Sequence, residues 1–302
     1  MPKPSRVNKP RTCILREFQS NLSDINKYLS YYIFISSQFI RQNQKVIQSH
    51  PEKQTTEVFL DNPQSKQFDV VLSLLEMHTS STNKFIFDSI FLYCFFELDN
   101  YLKEIYKFIQ KIEMHYAEKD EVLENFTTKI HELESFESLK QVAENLKIDK
   151  TIFIDSDYQT FEYFRLRRNT IAHRNIAVRY SGTMKKFIDT NGDFLNSYWN
   201  SSTTVVKGLD FSTNNLQFDN KDSIISVINI LRDTVPKLEE EILLKITDEE
   251  WIEFLYSEFK KEIKAYDLNL ETKFVKSFNK FASLKLNKTF AESLISKVIY
   301  KR

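Results

Sequence analysis

The sequence predicts an all-α fold on two observations. Only 3 Gly and 6 Pro occur in 302 residues, whereas a β-rich fold turns tightly and often, and tight turns draw on Gly for positive φ. Long stretches also place apolar residues at three- and four-residue intervals, the period of a helix with one buried face. Hydrophobic residues make up 41% and charged residues 28%, enough for a core and a hydrated surface. The 26 Phe and 14 Tyr predict that much of the core is aromatic.

Residues 1–12 hold three prolines and four cations, so 1–14 is predicted to be a basic flexible arm. From Leu15 to Ile47 the apolar positions Leu22, Ile25, Leu29, Ile33, Phe39, Ile40 and Ile47 predict one helix. Ser49 to Lys66, with Pro51 and Pro63, is predicted to be a loop with a short extended piece at Val58-Phe59-Leu60. A short helix over Phe68–Met77 precedes the central helix, Lys84 to about Tyr116, whose stripe is Phe87, Phe91, Phe95, Leu98, Leu102, Ile105 and Ile109. Residues 120–146 are predicted to form one or two more polar helices. Ser156-x-x-Gln159, with Asp157 as a second capping candidate, is predicted to start a helix running to about Ala177.

Residues 178–221 change character: Gly182 and Gly192 lie among many Asn, Ser and Thr, with β-prone pieces at Thr203–Val206 and Leu216–Phe218. A loop insertion with one or two short strands is predicted there, and Asp189-Thr190-Asn191-Gly192-Asp193 is predicted to be a turn. Helix resumes from Asp222 to Ile246, interrupted or kinked near Pro236, and further helices follow over Asp248–Tyr266 and Glu271–Tyr300. The domain reading is therefore a helical domain over 15–246, carrying the 178–221 insertion, and a C-terminal helical extension over 247–302.

Formal net charge is zero, so bulk electrostatics select no partner. The ends are nevertheless basic, with Lys3, Arg6, Lys9, Arg11 and Arg16 at one and a lysine-rich run after residue 273 at the other, while 239–262 is acid-rich. Such a protein can still present a basic groove to a polyanion, although each run alone also fits an ordinary hydrated surface. Cys13 and Cys94 form no framework, Cys94 reading as a small buried hydrophobe, and that usage fits a reducing compartment. No apolar run spans a bilayer and the N-terminus lacks a signal's apolar region, so a cytoplasmic protein with no membrane role is predicted. His50, His78, His115 and His131 have no metal-ligand spacing, no glycine loop cradles a phosphate, and no metal or cofactor is expected.

One helix gathers chemistry. Phe161, Phe164, Arg168 and Ile171 follow a three–four–three spacing, which puts Arg168 on the face expected to be apolar. A cation there must be paired or line a cleft. Arg165, Asn169 and His173 stack on an adjacent face, and Arg174 and Arg179 follow. Asp99 and Glu97, near the apolar stripe of the central helix, are the acids that could hold the Arg168 guanidinium in one orientation.

Arg168-Asn169-Thr170-Ile171-Ala172-His173 resembles the motif of HEPN domains, an Arg and a His separated by four to six residues with a polar residue after the Arg. Phe95-Phe96-Glu97-Leu98-Asp99-Asn100-Tyr101-Leu102 is similar to that family's second helix; the family's acid is usually Glu, and the best match here is Asp99. The resemblance covers roughly 20–246 in architecture and is specific over about thirty residues. It implies a four- or five-helix bundle that dimerises, two motifs meeting in one composite site. It implies metal-independent RNA cleavage, in which the 2′-hydroxyl attacks the adjacent phosphate and leaves a cyclic phosphate. His173 would be the general acid or base, Arg168 would stabilise phosphate charge, and Asn169 would position either. Asp99 or Glu97 would support the Arg, and Arg165 and Arg174 would contact the RNA backbone. The implied setting is a toxin or anti-phage effector with an antitoxin or defence-system partner. The same fold hosts other functions, so a non-catalytic module binding RNA, nucleotide or a protein partner stands beside the enzyme, as does a duplex-DNA binder using the basic ends.

Overall fold

The computed structural model describes residues 11–117, 142–144, 154–172, 177–215, 217–262 and 271–300. Among them the fold is all-α, with no strand beyond an isolated bridge between Gln54 and Val71. The helices are α1 (Cys13–Ser49), α2 (Thr55–Val58), α3 (Leu75–Ala117), α4 (Asp155–Ala172), α5 (Ala177–Ser201), α6 (Lys221–Leu244), α7 (Asp248–Glu262), α8 (Glu271–Leu286) and α9 (Glu292–Tyr300). No helix among the described residues is long and apolar enough to cross a membrane. The chain divides into two compact units, one of residues 1–21, 96–165 and 231–302, the other of 22–95 and 166–230.

In the first unit α1 begins on a fixed N-cap. Thr12 is fully buried, its hydroxyl accepts from Leu15 N at 3.0 Å, and Arg11 N donates to Leu286 O at 2.8 Å. The predicted arm therefore does not extend through 11–14, because the cap and its partners tie those residues down; residues 1–10 lie outside the described residues. The α3 stripe of Leu98, Leu102, Ile105 and Ile109 is buried, and Phe18 packs on Tyr101 with ring centroids 5.3 Å apart. Thr247-x-x-Glu250 is a capping box for α7: Thr247 N donates to the Glu250 carboxylate at 2.6 Å and Glu250 N to Thr247 Oγ1 at 3.3 Å. The segment 271–300 splits into two helices at Asn287, which sits at φ 50°. Asn279 clasps the backbone of Phe290 in both directions across that turn (2.8 and 2.9 Å), and Phe259, Phe274 and Phe278 form the aromatic cluster of α7 and α8. The predicted helices of 120–146 lie outside the described residues apart from the helical 142–144.

The second unit departs further from the sequence prediction. Val58-Phe59-Leu60 is not extended, since Val58 closes α2 and Phe59 caps it. The helices expected over 68–77 and from Lys84 are one helix preceded by a 3-10 turn, Leu72–Leu74: the polar run around Ser80–Thr82 is exposed surface of α3, not a break. Most of the predicted loop insertion is α5, which absorbs the expected turn at 189–193. Its buried stripe, Met184, Ile188, Leu195 and Trp199, keeps the helical period, and packing of that face outweighs the poor propensity of its Asn and Gly residues. No strand forms at 203–206, and side chains of α6 hold the backbone at Val205 and Lys207. Ser226 Oγ accepts from Lys207 N at 2.7 Å and donates to Lys207 O at 2.8 Å, and Asn229 donates to Val205 O at 2.9 Å. Residues 217–218 form no strand either, and Leu216 lies outside the described residues. α6 runs continuously through Pro236.

The two glycines of α5 serve different ends. A Cβ on Gly192 would stand 2.7 Å from Ser212 Cα and 2.9 Å from Phe211 O, both backbone, whereas Gly182 has nothing within 4 Å. Gly192→Ala is expected to destabilise by about 1–2 kcal/mol, steric displacement outweighing the helix propensity gained. Gly182→Ala is expected to stabilise by roughly 0.5–1 kcal/mol. Urea midpoints of the two variants should move in opposite directions.

Candidate functional site

α4 carries the motif. Its first turn holds Asp155 and Asp157, favourable at a helix N-terminus. The predicted capping box is absent: Ser156 and Asp157 lie inside the helix, and Ile154 O accepts from Asp157 N at 2.9 Å. Ser156 is buried and gives its carbonyl to Thr160 Oγ1 at 2.6 Å. Asp157, 2% exposed, lies 3.8 Å from Lys237. Burial raises its carboxyl above the ordinary aspartate value, and the lysine opposes that shift.

The middle of α4 is buried on several faces at once, through Phe161, Tyr163, Phe164, Leu166 and Arg167. The core-facing cation is thus Arg167, not Arg168. Arg167 is 3% exposed, and its Cζ stands 3.6 Å from the centroid of the Phe218 ring. Phe218 is in turn held by its N–H donating to buried Asp88 at 3.1 Å. A guanidinium over a buried ring gains cation–π attraction that an ammonium would match poorly. Spacing alone permits this register, since Phe161, Phe164 and Arg167 are three apart and Arg168 is only one position further round.

The helix opens at its C-terminal end. Arg168, Asn169 and Thr170 are half-buried, and Thr170 Oγ1 donates to Leu166 O at 2.9 Å. A half-buried guanidinium beside an amide offers donors suited to an anionic group such as a phosphate. His173 and Arg174 follow Ala172 directly in the chain and, like Arg179's side chain, lie outside the described residues. Arg165 is engaged by Glu162, Nε to Oε2 at 2.8 Å with a second contact through the other nitrogen. On α3, Glu97 is 7% exposed and accepts from Asn21 Nδ2 at 2.7 Å, while Asp99 is half-buried.

A second polar centre escaped sequence reasoning. Glu239 on α6 is fully buried and accepts from Thr12 N and Thr12 Oγ1, both at 2.7 Å, and from the Tyr101 hydroxyl at 3.3 Å. It belongs to an acid-rich run and carries no mark of its burial in its neighbours. Among the described residues no three His, Cys, Asp or Glu side chains gather as a metal site. No family model, no curated protein and no solved structure matches this chain.

Proposed function

We propose that this chain is a HEPN-type RNA endonuclease that acts as a dimer in the cytoplasm, as a toxin or anti-phage effector. The carrying observation is the Arg168-Asn169-x-x-x-His173 motif, whose Arg168 and Asn169 are half-buried in the last turns of α4. In the proposed reaction the RNA 2′-hydroxyl loses its proton to a general base as its oxygen bonds to the adjacent phosphorus. The P–O5′ bond breaks, and the leaving oxygen takes a proton from a general acid. The products are a 2′,3′-cyclic phosphate and a 5′-hydroxyl. His173 takes one of the two proton roles, since imidazole titrates near neutrality. Arg168 counters the charge that develops on the phosphoryl oxygens, and Asn169 positions the imidazole or the phosphate. A second copy of the chain completes the composite site, and an antitoxin or defence-system protein restrains or triggers it. Arg165 and Arg174 contact the RNA backbone by their charge, Arg165 while it also pairs with Glu162.

The test is cleavage of end-labelled RNA by the purified protein in EDTA, with a matched substrate carrying a single 2′-deoxy substitution at the cut. Cleavage of the ribose substrate to a cyclic phosphate, and none at the deoxy position, is the expected result. Binding of RNA, nucleotide or protein without any cleavage would make the chain a non-catalytic module. Duplex-DNA binding indifferent to His173 would point to the basic ends.

A further inference from the structure

A cavity of about 410 Å³ opens between the C-terminal half of α1, the connection from 50 to 71 and the start of α3, within the second unit. Neither Arg168 nor Asn169 lines it. Its wall is built rather than incidental. Thr55, 3% exposed, ties the connection to itself: its N–H donates to Val70 O at 2.9 Å, its hydroxyl donates to Phe68 O at 2.5 Å and accepts from Val70 N at 3.1 Å. Leu72 N donates to Lys53 O at 2.9 Å, and a small core of Ile47, Leu72 and Leu75 sits beneath. These contacts fix the path of the connection, which packs through Val58, Phe59 and Val70 against that small core.

Five rings face the cavity: Tyr32, Phe39, Phe59, Phe68 and His78. They are fixed by one another and by the helices. Phe39 and Phe59 lie 5.5 Å apart, Phe68 meets His78 edge-on at 5.5 Å, and the Tyr32 hydroxyl donates to Asn83 at 2.9 Å. The lining surface is mostly apolar, with Ile35 and Leu75 beside the rings, and its smaller polar part comes from neutral residues, Thr79, Thr82, Asn62 and Gln64 among them. Among the described residues no Asp, Glu, Lys or Arg lines the cavity.

We infer that this cavity is a binding site for a neutral aromatic small molecule of two or three rings with a hydrogen-bonding edge. The volume falls within the usual range of small-molecule sites, roughly 300–1,000 Å³. Aromatic walls reward ring contacts. The hydroxyls and amides can orient a polar edge. A charged ligand would surrender hydration with only the His78 imidazole to answer it, which selects against phosphates, carboxylates and amines. The site stands independently of the nuclease reading, because its residues and its chemistry are different.

The test uses two fluorescent probes that share a ring system, neutral N-phenyl-1-naphthylamine and its sulfonate, 8-anilino-1-naphthalenesulfonate. The full chain is expected to bind the neutral probe saturably at one site and the sulfonate about tenfold more weakly or less. Ser36→Trp fills the cavity and is expected to weaken the neutral probe at least about tenfold with the far-UV dichroism and thermal midpoint retained. Thr82→Trp, at an exposed rim position, serves where Ser36→Trp fails to fold. Phe34→Ser, at an exposed α1 residue that does not line the cavity, is expected to leave binding unchanged. No saturable binding of the neutral probe, equal affinity for the sulfonate, or loss on Phe34→Ser with retention in the filled variant overturns the inference.

Discussion

Substituting His173 by alanine is expected to slow single-turnover RNA cleavage by about 10²–10⁴-fold, the usual worth of a positioned general acid or base. The proposed reaction moves two protons, and the imidazole is the group in the motif that exchanges one near neutral pH. Arg168→Ala is expected to fall in the same range by removing the group that counters phosphoryl charge. Arg168→Lys is expected to recover only part of the rate, because an ammonium keeps the charge and loses the planar fork that meets two oxygens together. Far-UV dichroism of each variant separates a chemical effect from a folding one. A folded His173→Ala protein that cuts at the wild-type rate, with the same cyclic product, would remove the assignment of this imidazole.

The long helices were legible because one apolar face per turn is enough to specify them: Leu22, Ile25 and Leu29 in α1 and Phe87, Phe91 and Phe95 in α3 are buried as their spacing implies. α5 was hidden by composition. Its Asn, Ser and Gly residues read as loop, yet Met184, Ile188, Leu195 and Trp199 already carried the helical period. Gly192 is there for a close backbone approach at Ser212 that no sequence pattern announces. At the candidate site the difficulty was one of register. A spacing of three or four admits either Arg167 or Arg168 to the buried face, and the 100° between them is settled by Phe218, which lies fifty-one positions beyond Arg167 and belongs to a segment with no helical pattern. Arg168 is consequently half-buried at the edge of that packing, while its neighbour is enclosed by it. The Thr12–Glu239 contact joins residues 227 apart in the chain, and nothing local signals it.

That contact carries the largest expected change in stability. Glu239→Ala is expected to cost about 3 kcal/mol, measured by urea denaturation. The carboxylate accepts from Thr12 N, the Thr12 hydroxyl and the Tyr101 hydroxyl, and each donor orphaned in a buried site costs about 1–3 kcal/mol; relief of the buried carboxylate's own desolvation offsets part of that sum. The Thr12 hydroxyl also caps α1, so its reorientation loosens the helix start. Glu239→Gln keeps one acceptor oxygen and is expected to cost roughly 1 kcal/mol near the acid end of the range. Burial raises the Glu239 carboxyl above its ordinary 4.5, against the hydrogen bonds from Thr12 and Tyr101 and the nearby charge of Arg11. The folded protein then holds this proton at pH values where the unfolded chain has released it. The group's contribution to stability is therefore fully present below the ordinary glutamate value, falls as pH rises through the window up to the raised value, and is constant above it. Glutamine does not titrate, so the stability difference between the wild-type protein and Glu239→Gln should shift in favour of glutamine as pH rises from about 4 toward neutrality. Parallel stability curves across that range would show that the carboxyl is as acidic in the fold as in the unfolded chain. The burial of Glu239 would then not be what governs its proton.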